Sequence, residues 1–239
     1  EKIQTKYKLV EVTTSWGHNE TVYADRPRNI AELLANTVAQ YGDSEGIISP
    51  DSRLTYKQFA SLVDHVSSGL YHKYGVRKGD RVALMLKNGW EYSVGFFALM
   101  KLGAIAVPLN IAYKGEEAAF QLNDSGSIML IVDPEFRDVI TEIRPEIGEV
   151  RNIFATDTGE FLELLEEKEY KAVNVQLDEM DSAIIMYTSG TTGRPKGAVL
   201  YHRGLIAEAM CTSELLDWNA GRDKHLCSVP LFHVTGLVM

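Results

Sequence analysis

From Val76 to Ala155 the chain alternates short apolar runs with helix-length stretches, and this rhythm restricts its fold more than any other feature. The runs Val82 to Leu86, Ala104 to Val107, Ile128 to Val132 and Arg151 to Ala155 begin roughly every 22 to 24 residues, the spacing of strand, helix and next strand. No sequence repeat accompanies the period, so a parallel sheet with right-handed crossovers is predicted rather than a solenoid. The fold class is α/β.

The helices carry their own punctuation. Asn29 with Glu32 marks the start of a helix through Ile30, Leu33, Leu34 and Val38 to Gly42. A hairpin is predicted over Gly46 to Leu54, turning at Pro50-Asp51-Ser52. Thr55 with Gln58 forms a capping box before Phe59, Leu62, Val63, Val66 and Leu70, and Gly75 stops that helix. Asn88 with Glu91 is predicted to cap the next helix, whose Phe96 and Phe97 face the sheet. His65 and His72 fall on a polar helix face, Glu163, Glu166, Glu167 and Glu169 on a solvated one, and the residues up to about Arg28 read as a polar arm.

Composition removes several classes of function. With 33 acidic and 24 basic side chains, the net charge of −9 opposes a sequence-independent grip on nucleic acid. Cys211 and Cys227 form neither a zinc ribbon nor a disulfide framework, so a reducing, cytoplasmic setting is expected. Val94 to Met100 and Leu102 to Leu109 are split by Lys101 and fall short of the roughly 18 apolar residues of a membrane span. The start, Glu1-Lys2-Ile3-Gln4-Thr5-Lys6, has neither an initiator Met nor an apolar signal core and reads as a trimmed terminus.

One segment stands apart: Tyr187-Thr188-Ser189-Gly190-Thr191-Thr192-Gly193-Arg194-Pro195-Lys196-Gly197. It holds three glycines, four hydroxyl side chains besides the tyrosine, and two cations in eleven residues. Ala183 to Met186 ahead of it and Ala198 to Leu200 behind it read as buried strands. A polar excursion between such strands needs partners for its backbone groups, and a polyphosphate is a natural one. Glycines allow close approach of the backbone, while Lys196 supplies charge. The spacing is not that of a Walker loop, since Lys196 follows Pro195 and precedes Gly197, nor that of the dinucleotide fingerprint, since a strand intervenes before any helix. Composition alone leaves open a Gly/Thr linker. A second segment, Pro230-Leu231-Phe232-His233-Val234-Thr235-Gly236, carries a single His that on chemistry alone reads as a packed, hydrogen-bonded residue.

The string YTSGTTGRPKG resembles the phosphate-binding signature of the adenylate-forming enzymes, a family that includes acyl-CoA synthetases, luciferases and the adenylation domains of peptide synthetases. Gly75 to Val82 and Leu102 to Asn110 are similar to further segments of that family, in the same order, and the resemblance runs from about Asn29 to Met239. It implies layered, mostly parallel sheets flanked by helices, as in the family's large N-terminal domain, here incomplete. Residues 28–75 with 226–239 would build one sheet layer and 76–225 the other, leaving an apolar face open, and the small C-terminal domain would be absent.

The resemblance also implies chemistry. A carboxylate attacks the α-phosphate of ATP to give an acyl adenylate and pyrophosphate, and coenzyme A then displaces AMP. Thr188, Ser189, Gly190, Thr191, Thr192, Gly193 and Lys196 would cradle the β- and γ-phosphates, with Mg²⁺ bridging nucleotide oxygens and Thr188 and Ser189 as leading hydroxyl donors. Arg194 lies where the family tolerates change. His233 would act beside the carboxylate; amino-acid-activating relatives carry an Asp at that place, so a fatty or aryl acid without an α-amine is expected. The Mg²⁺ carboxylate, the ribose aspartate and the catalytic lysine of the family would lie downstream of residue 239, and the 239 residues alone are expected to be inactive. A phosphoryl-transferring or ATP-hydrolysing enzyme and a non-catalytic nucleotide-binding module remain the alternatives.

Overall fold

The computed structural model describes residues 5–14, 16–166, 170–188, 194–219 and 221–238. In chain order its elements are β1 (Leu9–Thr13), β2 (Asn19–Tyr23), α1 (Ile30–Tyr41), β3 (Glu45–Ile48), β4 (Arg53–Thr55) and α2 (Tyr56–His72). There follow β5 (Arg81–Met85), α3 (Trp90–Leu102), β6 (Ile105–Pro108), α4 (Gly115–Asp124), β7 (Met129–Val132), α5 (Arg137–Ile143), β8 (Asn152–Ala155) and α6 (Gly159–Leu165). The last are β9 (Ser182–Thr188), β10 (Lys196–Tyr201), α7 (His202–Leu215) and α8 (Val234–Val238). The predicted alternation is present, with its four strands within a residue or so of the predicted starts.

Six strands form the main sheet in the order β10-β9-β6-β5-β7-β8. All neighbours are parallel except the β9–β10 pair, which is antiparallel. Strand periodicity divides the core in two. Val82 and Leu84 of β5, with Met129 and Ile131 of β7, join the cluster under α2, α3 and α7. Ala83, Met85, Leu130 and Val132 enter the opposite cluster with α4 and α5. Each such fully buried Leu, Ile or Val contributes about 1.5–3 kcal/mol relative to exposure. The helix after β5 therefore lies on one face, while those after β6 and β7 lie on the other. Chain reversal of this kind around a central strand opens a crevice outside the strands' carboxyl ends.

The local signals worked where they were self-contained. Asn29 accepts the Glu32 amide at 2.9 Å, and Thr55 and Gln58 complete the capping box. Four expectations need correction. The segment behind the signature loop is not buried: β10 is a sheet edge, and Val199 keeps 44% of its surface exposed. Asn88 does not cap α3; the N-cap is Gly89, which makes no side-chain cap bond, because the Asn88 amide is committed elsewhere. Phe97 does not face the sheet but meets Phe59 of α2 edge-on at 5.3 Å. The polar arm is in part a two-stranded hairpin, β1 with β2. His65 and His72 each bond a backbone carbonyl, of Leu165 and Lys171 respectively. Leu215 and Leu226, at 81% and 86% exposed, are among the large apolar side chains left open to solvent.

Candidate functional site

The signature segment closes an antiparallel hairpin. Thr188 pairs with Lys196 and Tyr187 with Gly197, so the two described ends of the loop face each other across its last rung. Both side chains are exposed, and among the described residues Lys196 makes no ion pair. Ser189, Gly190, Thr191, Thr192 and Gly193 lie outside the described residues. An exposed ammonium and hydroxyl beside a Gly/Thr-rich loop fit the donor set that an anionic phosphate requires.

Tyr187 braces the base of the hairpin. Its Oη donates to Asp124 Oδ2 of α4 at 2.6 Å, and its ring meets Phe120 edge-on. Burial first, then the Asp124 carboxylate, push the Tyr187 phenol well above its ordinary pKa. A Cβ on Gly197 would come within 2.8 Å of Ile185 Cγ2 and 3.2 Å of Tyr187 Cζ, which explains the glycine at this rung. The Arg194 guanidinium sits 5.9 Å from the Phe120 ring centroid.

At its far end the hairpin enters α7 through two buried residues. His202 is fully buried, its Nδ1 accepts the Ile30 amide at 3.3 Å, and burial lowers its pKa to about 4 against the partial opposition of Asp181. Arg203 donates to Glu179 Oε1 at 2.7 Å and to Glu20 Oε2 at 3.0 Å, while Arg26 binds Glu179 in bidentate fashion at 2.7–2.9 Å. Burial opposes the Glu179 charge, but hydrogen bonds from Arg203 and Arg26 hold its carboxyl below the usual carboxylate range. The sequence gives no local sign of this cluster, whose members lie up to 183 residues apart.

The His233 segment is held differently. The Asn88 Nδ2 donates to Val229 O at 2.9 Å, and Asn88 Oδ1 accepts the Leu231 amide at 2.8 Å. Tyr92 Oη donates to Leu231 O at 3.0 Å. His233 itself is exposed; its amide donates to Pro230 O at 3.0 Å, and its Nδ1 accepts the Thr235 amide at 3.3 Å. That acceptor role places the proton of the neutral ring on Nε2, leaving a donor. A Cβ at Gly236 would lie 2.2 Å from Pro230 O, so the turn closes only with glycine there. An apolar cavity of about 190 Å³ lies behind this segment, between Ile30 and Leu33 of α1, Phe96 and Phe97 of α3, and Leu231 and Leu237.

Topology brings the two segments to one end of the sheet. β9 runs parallel to β6 and β6 to β5, so Thr188 and Asn88 both stand at carboxyl ends, two strand steps or roughly 10 Å apart. Among the described residues no three His, Cys, Asp or Glu side chains converge on a cation site. They offer no ready-made carboxylate cage for Mg²⁺. No helix among them is long and apolar enough to cross a membrane.

The model of the AMP-binding enzyme family matches residues 34–239. The chain belongs to the AMP-binding enzymes. It is 36% identical over 215 residues to a long-chain-fatty-acid–CoA ligase of Mycobacterium tuberculosis, covering 88% of this chain and 42% of that protein. It is 31% identical over 226 residues to a crotonobetaine/carnitine–CoA ligase of Salmonella paratyphi A, covering 87% and 43%. The inhibitor-bound N-terminal domain of FACL13 from Mycobacterium tuberculosis superposes with a TM-score of 0.79 at 32% identity, over 89% of this chain and 54% of that one. This AMP-binding chain thus spans less than half the length of the two curated ligases, and within it the fold is that of the N-terminal domain of adenylate-forming acyl-CoA ligases.

Proposed function

We propose that this AMP-binding chain takes part in activating a carboxylic acid, fatty or aryl, with ATP and passing the acyl group to coenzyme A. The single observation that carries this reading is the arrival of two segments at one end of the sheet: the hairpin mouth with Thr188 and Lys196, and the turn that presents His233. In the first step a carboxylate oxygen bonds to the α-phosphorus and the bond to the β-phosphate oxygen breaks, releasing pyrophosphate. In the second, the thiolate sulfur bonds to the acyl carbon and AMP departs with the electron pair of the broken acyl–oxygen bond. Neither step needs a protein nucleophile; both gain from fixed donors aimed at developing negative charge.

In this reading Thr188 to Lys196 grip the β- and γ-phosphates, and the Nε2–H of His233 donates to the carboxylate or adenylate. Mg²⁺ would supply further neutralisation of the phosphates when bound. The ligase relatives name acids as different as a long-chain fatty acid and carnitine, which supports the carboxylate class. We also propose that residues 28–75 and 226–239 belong to one layer set against 76–225. Ile30 and Leu33 meet Leu231 and Leu237 around the apolar cavity, and Phe96, Phe97 and Leu205 of the other layer close it, as expected where two layers face each other.

The test is carboxylate-dependent exchange of labelled pyrophosphate into ATP, screened over fatty and aryl acids with the full-length gene product. Exchange is expected with one of these classes and reduced about a hundredfold in Lys196→Ala, the scale of removing one preorganised charge-stabilising donor. Orthophosphate release without exchange would refute the reading.

A further inference from the structure

Between Gly221 and His233 the described chain forms no helix or strand, yet its backbone groups at Val229 and Leu231 are paired, and with side chains. A primary amide offers one acceptor and one donor side by side, the pattern that a neighbouring strand offers to an extended residue pair. Asn88 presents that pattern immediately past β5, the strand around which the chain reverses and the crevice opens. Tyr92, in the first turn of α3, completes the grip on Leu231 through its hydroxyl.

We propose that Asn88 is a positioning residue: its amide acts as a one-residue strand edge that fixes Val229 to Leu231 and so sets where His233 stands. The linkage is continuous. Asn88 holds the residues on either side of Pro230, the Pro230 carbonyl accepts the His233 amide, and Gly236 packs against that same carbonyl. The inference rests on the reading of His233 as a carboxylate contact. It also accounts for the uncapped start of α3, since an Asn at this place is drawn away from the helix it precedes.

The experiment has two readouts. Amide hydrogen exchange on this chain is expected to show Leu231 exchanging about tenfold faster in Asn88→Ala, the effect of one lost hydrogen bond. Asn88→Asp, which keeps the acceptor but loses the donor to Val229, should fall between. In the full-length gene product Asn88→Ala should lower kcat/KM for the carboxylate by about tenfold while KM for ATP stays within about twofold. Unchanged Leu231 exchange overturns the clamp. Faster exchange with unaltered carboxylate kinetics overturns its role in placing His233. A wild-type protein with no carboxylate-dependent exchange of pyrophosphate overturns the functional reading instead, and the Leu231 measurement then judges the clamp by itself.

Discussion

The β9–β10 hairpin and the Val229–Gly236 turn reach the same end of the sheet by opposite means. The hairpin is held by a backbone ladder and, at its inner end, by buried charges on Arg26, Glu179 and Arg203. The turn has no ladder and hangs on the uncharged Asn88 amide and the Tyr92 phenol. A ladder survives most side-chain substitutions, whereas a side-chain clamp is lost with one. If the hairpin serves phosphate and the turn serves the acid, as proposed, the phosphate end would tolerate most substitutions and the acid end would depend on few residues.

The sharpest way to break this contrast is at the charges. Glu179→Ala leaves two buried guanidinium groups without their shared partner and should cost about 3–5 kcal/mol, read as a lower urea midpoint. Leu231 exchange under native conditions should change far less than that of the first turn of α7.

Acid should act in the same place. Between the ordinary His value of 6.5 and the folded value of about 4, the unfolded chain binds a proton that buried His202 refuses. Its contribution is therefore complete above about pH 6.5 and lost as pH falls toward 4, amounting to about 3 kcal/mol. The depressed Glu179 carboxyl adds a loss beginning below its ordinary value of 4.5, as the unfolded chain takes up a proton that the folded carboxyl refuses. Urea midpoints measured from pH 7 to 4 should fall for the wild type and flatten above about pH 4.5 in His202→Gln.

The smaller test compares the two glycines. Gly236→Ala drives a Cβ into the Pro230 backbone and should cost about 1–3 kcal/mol of local stability, with rapid exchange at Leu231 and Leu237. Gly197→Ala meets side-chain atoms, Ile185 Cγ2 and the Tyr187 ring, rather than backbone, and should cost less. Equal exchange effects in the two variants would erase the distinction between ladder and clamp.

Legibility in the sequence follows the range of the forces involved. The four parallel strands and the caps at Asn29 and Thr55 were readable because period and capping are local. The family was readable because the signature segment from Thr188 to Lys196 is contiguous, and it falls within the matched residues 34–239. The edge position of β10 was not, since Ala198, Val199 and Leu200 look the same beside one neighbour as between two. Asn88 was misread for a physical reason: an Asn before a helix is an N-cap by default, and only a partner 141 to 143 residues away shows otherwise. The Arg26–Glu179 pair escaped for the same reason, as its charges are 153 residues apart.

The most direct measurement of the central claim follows the label in ATP with the full-length gene product and a carboxylic acid that supports exchange. An acyl-adenylating site predicts that α-labelled ATP yields labelled AMP and γ-labelled ATP yields labelled pyrophosphate, both only when the acid is present. Labelled ADP from the α-position with labelled orthophosphate from the γ-position, independent of the acid, would contradict it.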